Sequence, residues 1–357
     1  MSVYGSDEAK FYYVSEATYG RIPVNPVMSG IEGVESVEPA ANPGLIKVRG
    51  LGSRDLMQIL HGLKMVDLKL VYVMPHDNPT GFLNYALTLA PYTAEIVYEK
   101  PAGQIISLRH TGCISDKATV ECSAEGEIKV TKDIIGQNLE PESVKITGAT
   151  YGQDGGAVPF SESYVSKGAA DGSSQVVLET VTDWKFNVEN NLKRVSVIRS
   201  NKTSLLTATA TAAQKVVAVT SGALFTAGDM VKIQDDVAAE WNTIYSIASN
   251  NLTMLNNLAH TYTVAGNAYV EGLVADLLKY LQGRHRVLTG DLTFTFEDMQ
   301  QYLEATHDFE FSLKFGLSGT SSVLFKYCKW DSVGSPTKIE DLVSVEAPFT
   351  AREVILV

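Results

Sequence analysis

Cysteine is scarce in this chain, and so is positive charge. Three cysteines, Cys113, Cys122 and Cys328, stand in 357 residues. They are too few for a disulfide framework, and with Cys113 and Cys122 nine residues apart a zinc site is not expected. The expected state is three reduced, half-buried thiols. Lysine and arginine total 29 against 41 acidic residues, a net charge of −12. No basic run stands out. Tight binding to nucleic acid, which relies on displacing counterions from phosphates, is therefore not expected. An acidic surface past which DNA slides without sticking is compatible with the number. No apolar stretch reaches the roughly 20 residues needed to cross a bilayer. The opening residues lack a basic region followed by an apolar run, so no secretory signal is expected, and the protein reads as soluble and folded in a cytoplasm.

Chemical signatures are missing as well. Gly50-Leu51-Gly52-Ser53 lacks the later glycine and lysine of a phosphate-cradling loop. His-Glu-x-x-His, Cys-x-x-Cys and Gly-x-Ser-x-Gly do not occur. His76 adjoins Asp77, but no third partner is in view for acid–base work. Asp235-Asp236 with Glu240 does not match the spacing of a calcium loop and reads as a turn. Arg284-His285-Arg286 reads as a solvated turn or, alternatively, as a contact for an acidic patch on a neighbouring subunit. Trp184, Trp241 and Trp330 read as core or interface anchors. Neither an enzyme nor a cofactor or metal site is expected.

What the chain does contain is a second version of itself. Tyr13-Val14-Ser15 recurs as Tyr164-Val165-Ser166, and Val37-Glu38 as Val188-Glu189, both at an offset of 151. The eight residues from Asp55 to Gly62 match those from Asp276 to Gly283 at an offset of 221. One ancestral domain of about 150 residues, repeated in tandem with about 70 residues inserted into the second copy, accounts for both offsets. The expected fold class is mainly β: two tandem β-sandwich or barrel domains, each with a short helix, plus a small inserted β-domain. The boundaries are residues 1–150 with an N-terminal arm, then 151–200 together with 271–357, and 201–270 for the insert.

Local patterns fill in the copies. Gly20, Pro23, Pro26 and Gly30 make residues 10–33 an extended arm. Val34–Glu38 and Leu45–Arg49, separated by Asn42-Pro43-Gly44, predict a hairpin. Ser53 can cap a short helix whose apolar face is Leu56, Met57, Ile59 and Leu60, stopped at Gly62; Asp276–Leu281 is its counterpart. A second short helix is predicted near Gly81–Leu87. Leu68–Val73, Tyr92–Glu99, Gln104–His110, Cys113–Glu121 and Gly126–Ile135 read as strands. So does Asp291–Phe296, where Leu292, Phe294 and Phe296 alternate with Thr293 and Thr295. Gly152–Gly156 is flexible by composition and either separates the copies or belongs to a long exposed loop. In the insert, Lys215–Thr220, Met230–Gln234, Thr243–Ala248, Asn251–Leu255 and Tyr262–Tyr269 predict five strands, and the insert should project from the body. Cys113 and Cys328 fall at comparable places in the two copies.

Three segments carry a family resemblance. Val14-Ser15-Glu16-Ala17-Thr18-Tyr19-Gly20 is an acidic, small, aromatic-Gly opening. His110-Thr111-Gly112-Cys113-Ile114-Ser115 leads into Ala118–Cys122 and then Glu127–Thr131. Leu288-Thr289-Gly290-Asp291-Leu292-Thr293-Phe294 is a strand entry. With these the chain resembles the tail tube proteins of long-tailed bacterial and archaeal viruses, in the version with two tandem tube domains. The resemblance covers both copies but not the insert. It implies a strand-rich fold whose domains share a barrel, with rings of six such domains stacked into a hollow tube that guides the genome. With two domains per chain the ring would be a trimer with pseudo-sixfold symmetry. The implied partners are further copies of the chain, the tape measure, terminator and tip proteins, and DNA passing through the lumen without tight binding, but no membrane. The implied location is the virion tail, after assembly in the host cytoplasm. Two alternatives stand beside this reading: a tail-tip or adhesion module that binds a host-surface glycan or protein, and a hub or initiator ring of the same fold. Asn138–Phe160 and the arm at 10–33 are the candidates for contact between rings.

Open strand edges need partners, and a closed ring of heterologous contacts supplies them. Acidic side chains lining a lumen would repel phosphate over roughly 8–10 Å. The candidates are Glu121, Glu125 and Glu127 in the first copy and Glu340, Asp341 and Glu346 in the second.

Overall fold

The computed structural model describes residues 5, 8–49, 55–60, 62–124, 126–197, 201–272, 277–296, 299–335 and 344–357. The chain first forms β1 (Ala9–Ser15), β2 (Val27–Ile31), β3 (Val34–Asn42), β4 (Ile46–Arg49), β5 (Leu56–Leu60) and β6 (Met65–Val73). A short helix α1 (Asn84–Thr88) precedes β7 (Tyr92–Glu99), β8 (Ile105–Ser123), β9 (Lys129–Gly136) and β10 (Asn138–Glu142). After β11 (Thr150–Asp154) come β12 (Tyr164–Ala169), β13 (Val176–Val177), β14 (Val181–Glu189) and β15 (Lys193–Val195). The next six strands are β16 (Lys202–Leu205), β17 (Val216–Ala218), β18 (Met230–Gln234), β19 (Ala239–Ala248), β20 (Asn251–Met254) and β21 (Tyr269–Gly272). The chain then returns through β22 (Tyr280–Gln282), β23 (Val287–Thr295), α2 (Gln300–Thr306), β24 (Phe311–Gly316), β25 (Ser322–Trp330), β26 (Ser344–Ala351) and β27 (Glu353–Leu356).

Alternation builds these strands. Val66, Leu68, Leu70 and Tyr72 of β6 are buried while Asp67 and Lys69 face solvent. Leu288, Gly290, Leu292 and Phe294 of β23 are buried while Asp291 faces solvent. A period of two places each apolar set on one face of a sheet, which then needs a second layer to cover it. The cover comes from β1, β7, β24, the first half of β8 and α1. Phe82, Tyr13, Tyr72, Tyr85 and Tyr92 interlock in the first half. Trp184, Phe186, Phe315, Phe325 and Phe349 do so in the second. These residues belong to one continuous core. Gly290 is required there, because a Cβ at that position would lie 2.5 Å from the Phe349 ring.

The pairings of the first half recur in the second. β1 pairs with β2 and β7, β7 with β8, β3 with β6, β6 with β9, and β8 with β9 and β10, all antiparallel. In the same order β12 pairs with β13 and β24, β24 with β25, β14 with β23, β23 with β26, and β25 with β26 and β27. The halves join where the second part of β8 pairs with β14, Lys117 through Ser123 opposite Glu189 through Asp183. The result is a half-barrel with the strand order β3-β6-β9-β8-β14-β23-β26-β25.

Several local expectations are corrected. The apolar run Leu56–Leu60 is strand β5, paired with β4 and facing solvent throughout, not a helix. Ser53 lies outside the described residues. In the counterpart, Tyr280–Gln282 is strand β22, paired with β15; Asp276 lies outside the described residues. The turn at Asn42-Pro43-Gly44 is followed by β4, but β3 and β4 do not pair with each other; β3 pairs with β6. Residues 10–33 are not an arm: β1 and β2 lie inside the sheet, with Phe11, Tyr12 and Tyr13 buried. The two strands expected over Gln104–Glu121 are one long strand, β8, with Gly112 at φ +62°. All three cysteines are free and buried. Trp184 and Trp330 lie in the core, whereas Trp241 is exposed.

Residues 202–272 form a separate six-stranded sheet in the order β16-β21-β18-β19-β20-β17. Its own core includes Val217, Val231, Ile233, Leu252, Tyr262 and Val270. Tyr262 lies outside the strands, touching Ala210 through an isolated bridge. Lys202 pairs with Gly272, so the chain enters and leaves this unit at adjacent points. The unit also leans back on the first half, through Arg21–Asp229 at 3.6 Å and Thr147 Oγ1 donating to Asn256 Oδ1 at 2.7 Å.

Candidate functional site

The half-barrel turns one face to its core and the other to solvent, and the solvent face carries charge in rows. Glu38, Lys69, Asp133, Lys117 and Glu189 stand side by side on β3, β6, β9, β8 and β14, each directly opposite the next. Their signs alternate across five strands. A second row runs Lys129, Glu121, Lys185, Asp291 over β9, β8, β14 and β23, again alternating. Between the rows lie Thr131, Thr119, Asn187, Thr289 and Thr350. Thr119 Oγ1 donates to Asn187 Oδ1 at 2.7 Å.

Several of these neighbours close into ion pairs. Lys117 Nζ lies 2.5 Å from Glu189 Oε1, and Lys185 Nζ lies 3.6 Å from Glu121 Oε2. Lys129 Nζ meets Glu35 at 2.8 Å and Glu127 at 3.4 Å. Hydrogen bonds to Glu35 and then Glu127 raise its pKa. Asp67 is held by Arg194. Opposite charges across strands contribute roughly 0.2–1 kcal/mol per pair, and like charges cost similar amounts. The rows therefore favour this register over a slipped one.

Of the acidic residues singled out from the sequence, Glu121 and Glu346 lie on this face. Glu127 is half-exposed in the segment leading into β9. Glu125, Glu340 and Asp341 fall outside the described residues. Sequence reasoning missed the lysines and the aspartates between them. Strand parity put each on a face, but the rows join strands that are distant in sequence.

Behind the face lies a set of buried polar anchors. Glu16 is 4% exposed. Its carboxylate accepts from the Gly20 N–H at 2.6 Å, the Gly112 N–H at 2.8 Å and Thr93 Oγ1 at 2.8 Å. Burial raises its pKa, opposed by those hydrogen bonds. Two of the segments that carried the family resemblance thus meet at one carboxylate. Arg109 is buried between Glu95, at 3.7 Å, and Glu142, at 3.9 Å, and donates to the Val144 carbonyl at 2.7 Å. Lys167 pairs with Glu304, which also accepts from Trp330 Nε1 at 3.0 Å.

A cavity of about 810 Å³ opens between the first half and the 202–272 unit, lined in part by Lys64, Glu140, Lys202 and Trp241. Lys64 donates to Asn138 Oδ1 and to the Leu139 carbonyl. Glu140 Oε2 is sealed from solvent without a hydrogen-bond partner, and burial pushes this carboxyl up to about 7. Among the described residues no group of three or more His, Cys, Asp or Glu side chains is placed to hold a metal ion. No described helix is long and apolar enough to cross a membrane.

The sequence model described as phage tail tube protein matches residues 6–205, more than half of the chain. No curated protein matches it in sequence. Among solved structures, the chain is similar to one in the sheath–tube complex of an extracellular contractile injection system in its extended state. That match has 12% identity and a TM-score of 0.28 over 38% of this chain and 89% of the other. A chain of the anti-feeding prophage tube-terminating cap shares 11% identity at a TM-score of 0.29, over 40% of this chain and 93% of its own. A chain of the anti-feeding prophage baseplate shares 13% at a TM-score of 0.29, over 41% and 99%.

Proposed function

The chain belongs to the phage tail tube protein family, and we propose that it is a structural protein of the viral tail, whose copies close into rings stacked as a DNA-conducting tube. The observation that carries this reading is the recurrence of one pairing scheme in both halves of the chain. It supports two tube units, residues 1–150 and 151–200 with 271–357, arisen by tandem duplication, with 201–270 inserted as a small outer domain. Two units per chain make a trimer the ring with six similar lobes. Contacts of one kind, repeated with a closing rotation, give a ring and not a symmetric pair. A ring also removes the open sheet edges that an isolated half-barrel exposes.

In the closed barrel the charged face lines the lumen and the second layer lies outside. Glu121, Glu127 and Glu346 then face passing DNA, with Glu125, Glu340 and Asp341 as further lumen candidates. The partners are other copies of the chain and the tape measure, terminator and tip proteins, brought together in the host cytoplasm. No step of this function needs catalysis or a cofactor.

Negative-stain images of the purified protein test the reading. Rotational averages with threefold symmetry and six similar lobes are expected, at high concentration or with other tail components added. Protein that stays monomeric under both conditions overturns it.

A further inference from the structure

The seam inside one chain is a template for the seam between two. On it β8 and β14 run antiparallel, with Val120 opposite Phe186 and Thr119 opposite Asn187. The ladders of the two halves assign each position of one half to a position of the other. Ser36 pairs with Val71, Val71 with Thr131 and Thr131 with Thr119. Asp183 pairs with Thr293, Thr293 with Glu346 and Glu346 with Gly334. Gly334 thus stands in the second half where Thr119 stands in the first, and β3 stands where β14 does. On this numbering Ala40 of β3 is the counterpart of Asn187.

The two outer edges of the half-barrel are therefore the same two elements that meet at its centre. Among the described residues β3 pairs only with β6, and Gly334 bridges only to Glu346. The Gly334 N–H donates to the Glu346 carbonyl at 3.0 Å, and the Glu346 N–H donates back at 2.8 Å. Both main-chain groups of Gly334 are thus turned toward β26, which makes it a non-hydrogen-bonded position toward the open side. Thr119 has the same standing between β9 and β14. Val37 and Val333, beside the two edges, are each only partly covered by the core.

We infer that β3 of one copy pairs antiparallel with the segment from Asp331 to Ser335 of a second copy, with Ala40 opposite Gly334 and Pro39 opposite Ser335. The occupant is another copy of this chain because the contact continues the seam already formed between its own halves. Pro39 has no N–H to give, so that position contributes one main-chain hydrogen bond where its internal counterpart, Phe186, contributes two. This register rests on the ring reading and adds to it which edge meets which, and at what offset.

A cysteine pair tests it. Ala40 is exposed, and a Cβ on Gly334 would meet nothing within 4 Å. Opposed residues at a non-hydrogen-bonded position have Cα atoms about 4.5 Å apart, within disulfide reach. The full chain carrying Ala40→Cys and Gly334→Cys is assembled, imaged, oxidised mildly and run on a non-reducing gel. Covalent dimers and trimers are expected. Glu38→Cys with Gly334→Cys shifts one thiol two residues along β3, to about 7–8 Å, and should cross-link at least about tenfold more slowly. Rings that form while the two pairs cross-link equally would overturn the register and leave the ring reading intact. No rings from the unmodified chain would sink both. If the cysteine variant does not assemble, amide hydrogen exchange on the unmodified chain decides. Protection of residues 34–42 and 331–335 should rise on assembly, and unchanged exchange there refutes the pairing.

Discussion

Replacing Lys132 with methionine should stabilise the protein. Lys132 points from β9 into the core and has no exposed surface. Its Nζ donates to the Phe82 carbonyl at 2.8 Å and sits 3.6 Å from the centroid of the Phe82 ring. Among the described residues no carboxylate pairs with it, and burial holds its pKa well below that of an ordinary lysine. Across the sheet Lys132 lies opposite Leu70; at the matching place in the second half, Ala347 lies opposite Leu292. The fold therefore does not need a cation there. Desolvation of an unpaired ammonium costs several kcal/mol, and one charged hydrogen bond with one cation–π contact returns only about 3–4 kcal/mol. An unbranched apolar side chain of similar length should gain about 2 kcal/mol at pH 7, or roughly 4–8 °C in the melting temperature of a unit this size. The pH dependence identifies the cause. The unfolded chain binds the lysine proton more tightly than the folded one, so wild-type stability rises with pH from the lowered folded pKa toward the ordinary 10.5. The advantage of the variant should thus shrink as pH rises, by up to about 1.4 kcal/mol per pH unit in that window. Calorimetry at pH 7 and pH 10 measures both quantities. A lower melting temperature at pH 7, or an advantage of the same size at pH 10, refutes the reasoning.

Three further changes probe other parts of the structure. Lys117→Glu places an acid between Asp133 and Glu189 and should cost about 1–2 kcal/mol, with part restored by adding Glu189→Lys. Urea titration at low salt reads this, and a second change that restores nothing would show the row to be inert. Glu16→Ala strands the N–H groups of Gly20 and Gly112 and should cost about 3 kcal/mol, with Glu16→Gln milder, both measured by thermal unfolding. For Glu140 the folded carboxyl titrates near 7, above its ordinary 4.5. Its contribution to stability is present below 4.5 and lost as pH rises through about 7, so Glu140→Gln should flatten the melting temperature between pH 5 and pH 8. Parallel curves for variant and wild type would show that Glu140 is not the group responsible.

Much of the strand content was legible in the sequence because alternation is a local signal. Leu68–Val73 and Asp291–Phe296 announce a face by parity alone. Leu56, Met57, Ile59 and Leu60 misled, because four apolar residues in five fit a helical stripe as well as a strand, and the run is too short to decide. The pairing scheme recurs in the order of the sequence matches but not in their register. Tyr13 lies near the end of β1 and Tyr164 begins β12, while the ladder counterpart of Val37 is Trp184 and not Val188. The pairing scheme persists because it depends on which faces are apolar, and many residues satisfy that demand at each position. The charge rows were out of reach for a different reason. Glu38, Lys69, Asp133, Lys117 and Glu189 become neighbours only after strands far apart in sequence have paired.

Those rows change what an acidic lumen would mean. A net charge of −12 on the chain invites a picture of a uniformly repulsive wall. On the solvent face, however, Lys69, Lys117, Lys129 and Lys185 each sit beside an acid of the same row, and Arg194 holds Asp67. Paired opposite charges cancel within a few ångströms, and what survives is screened beyond about 8–10 Å. Under the tube reading, the described acids that a phosphate near the axis would feel are those without a basic neighbour across the strands, such as Asp183 beside Ser123 and Thr293, and Glu346 beside Thr293 and Gly334. Among the described residues such a wall has no cluster of lysines to grip the polyanion and no unbroken acidic field to oppose its entry. The same pairing fixes strand register, since moving one strand by two residues takes a charge out of its row. In that arrangement smooth passage and correct assembly depend on the same side chains.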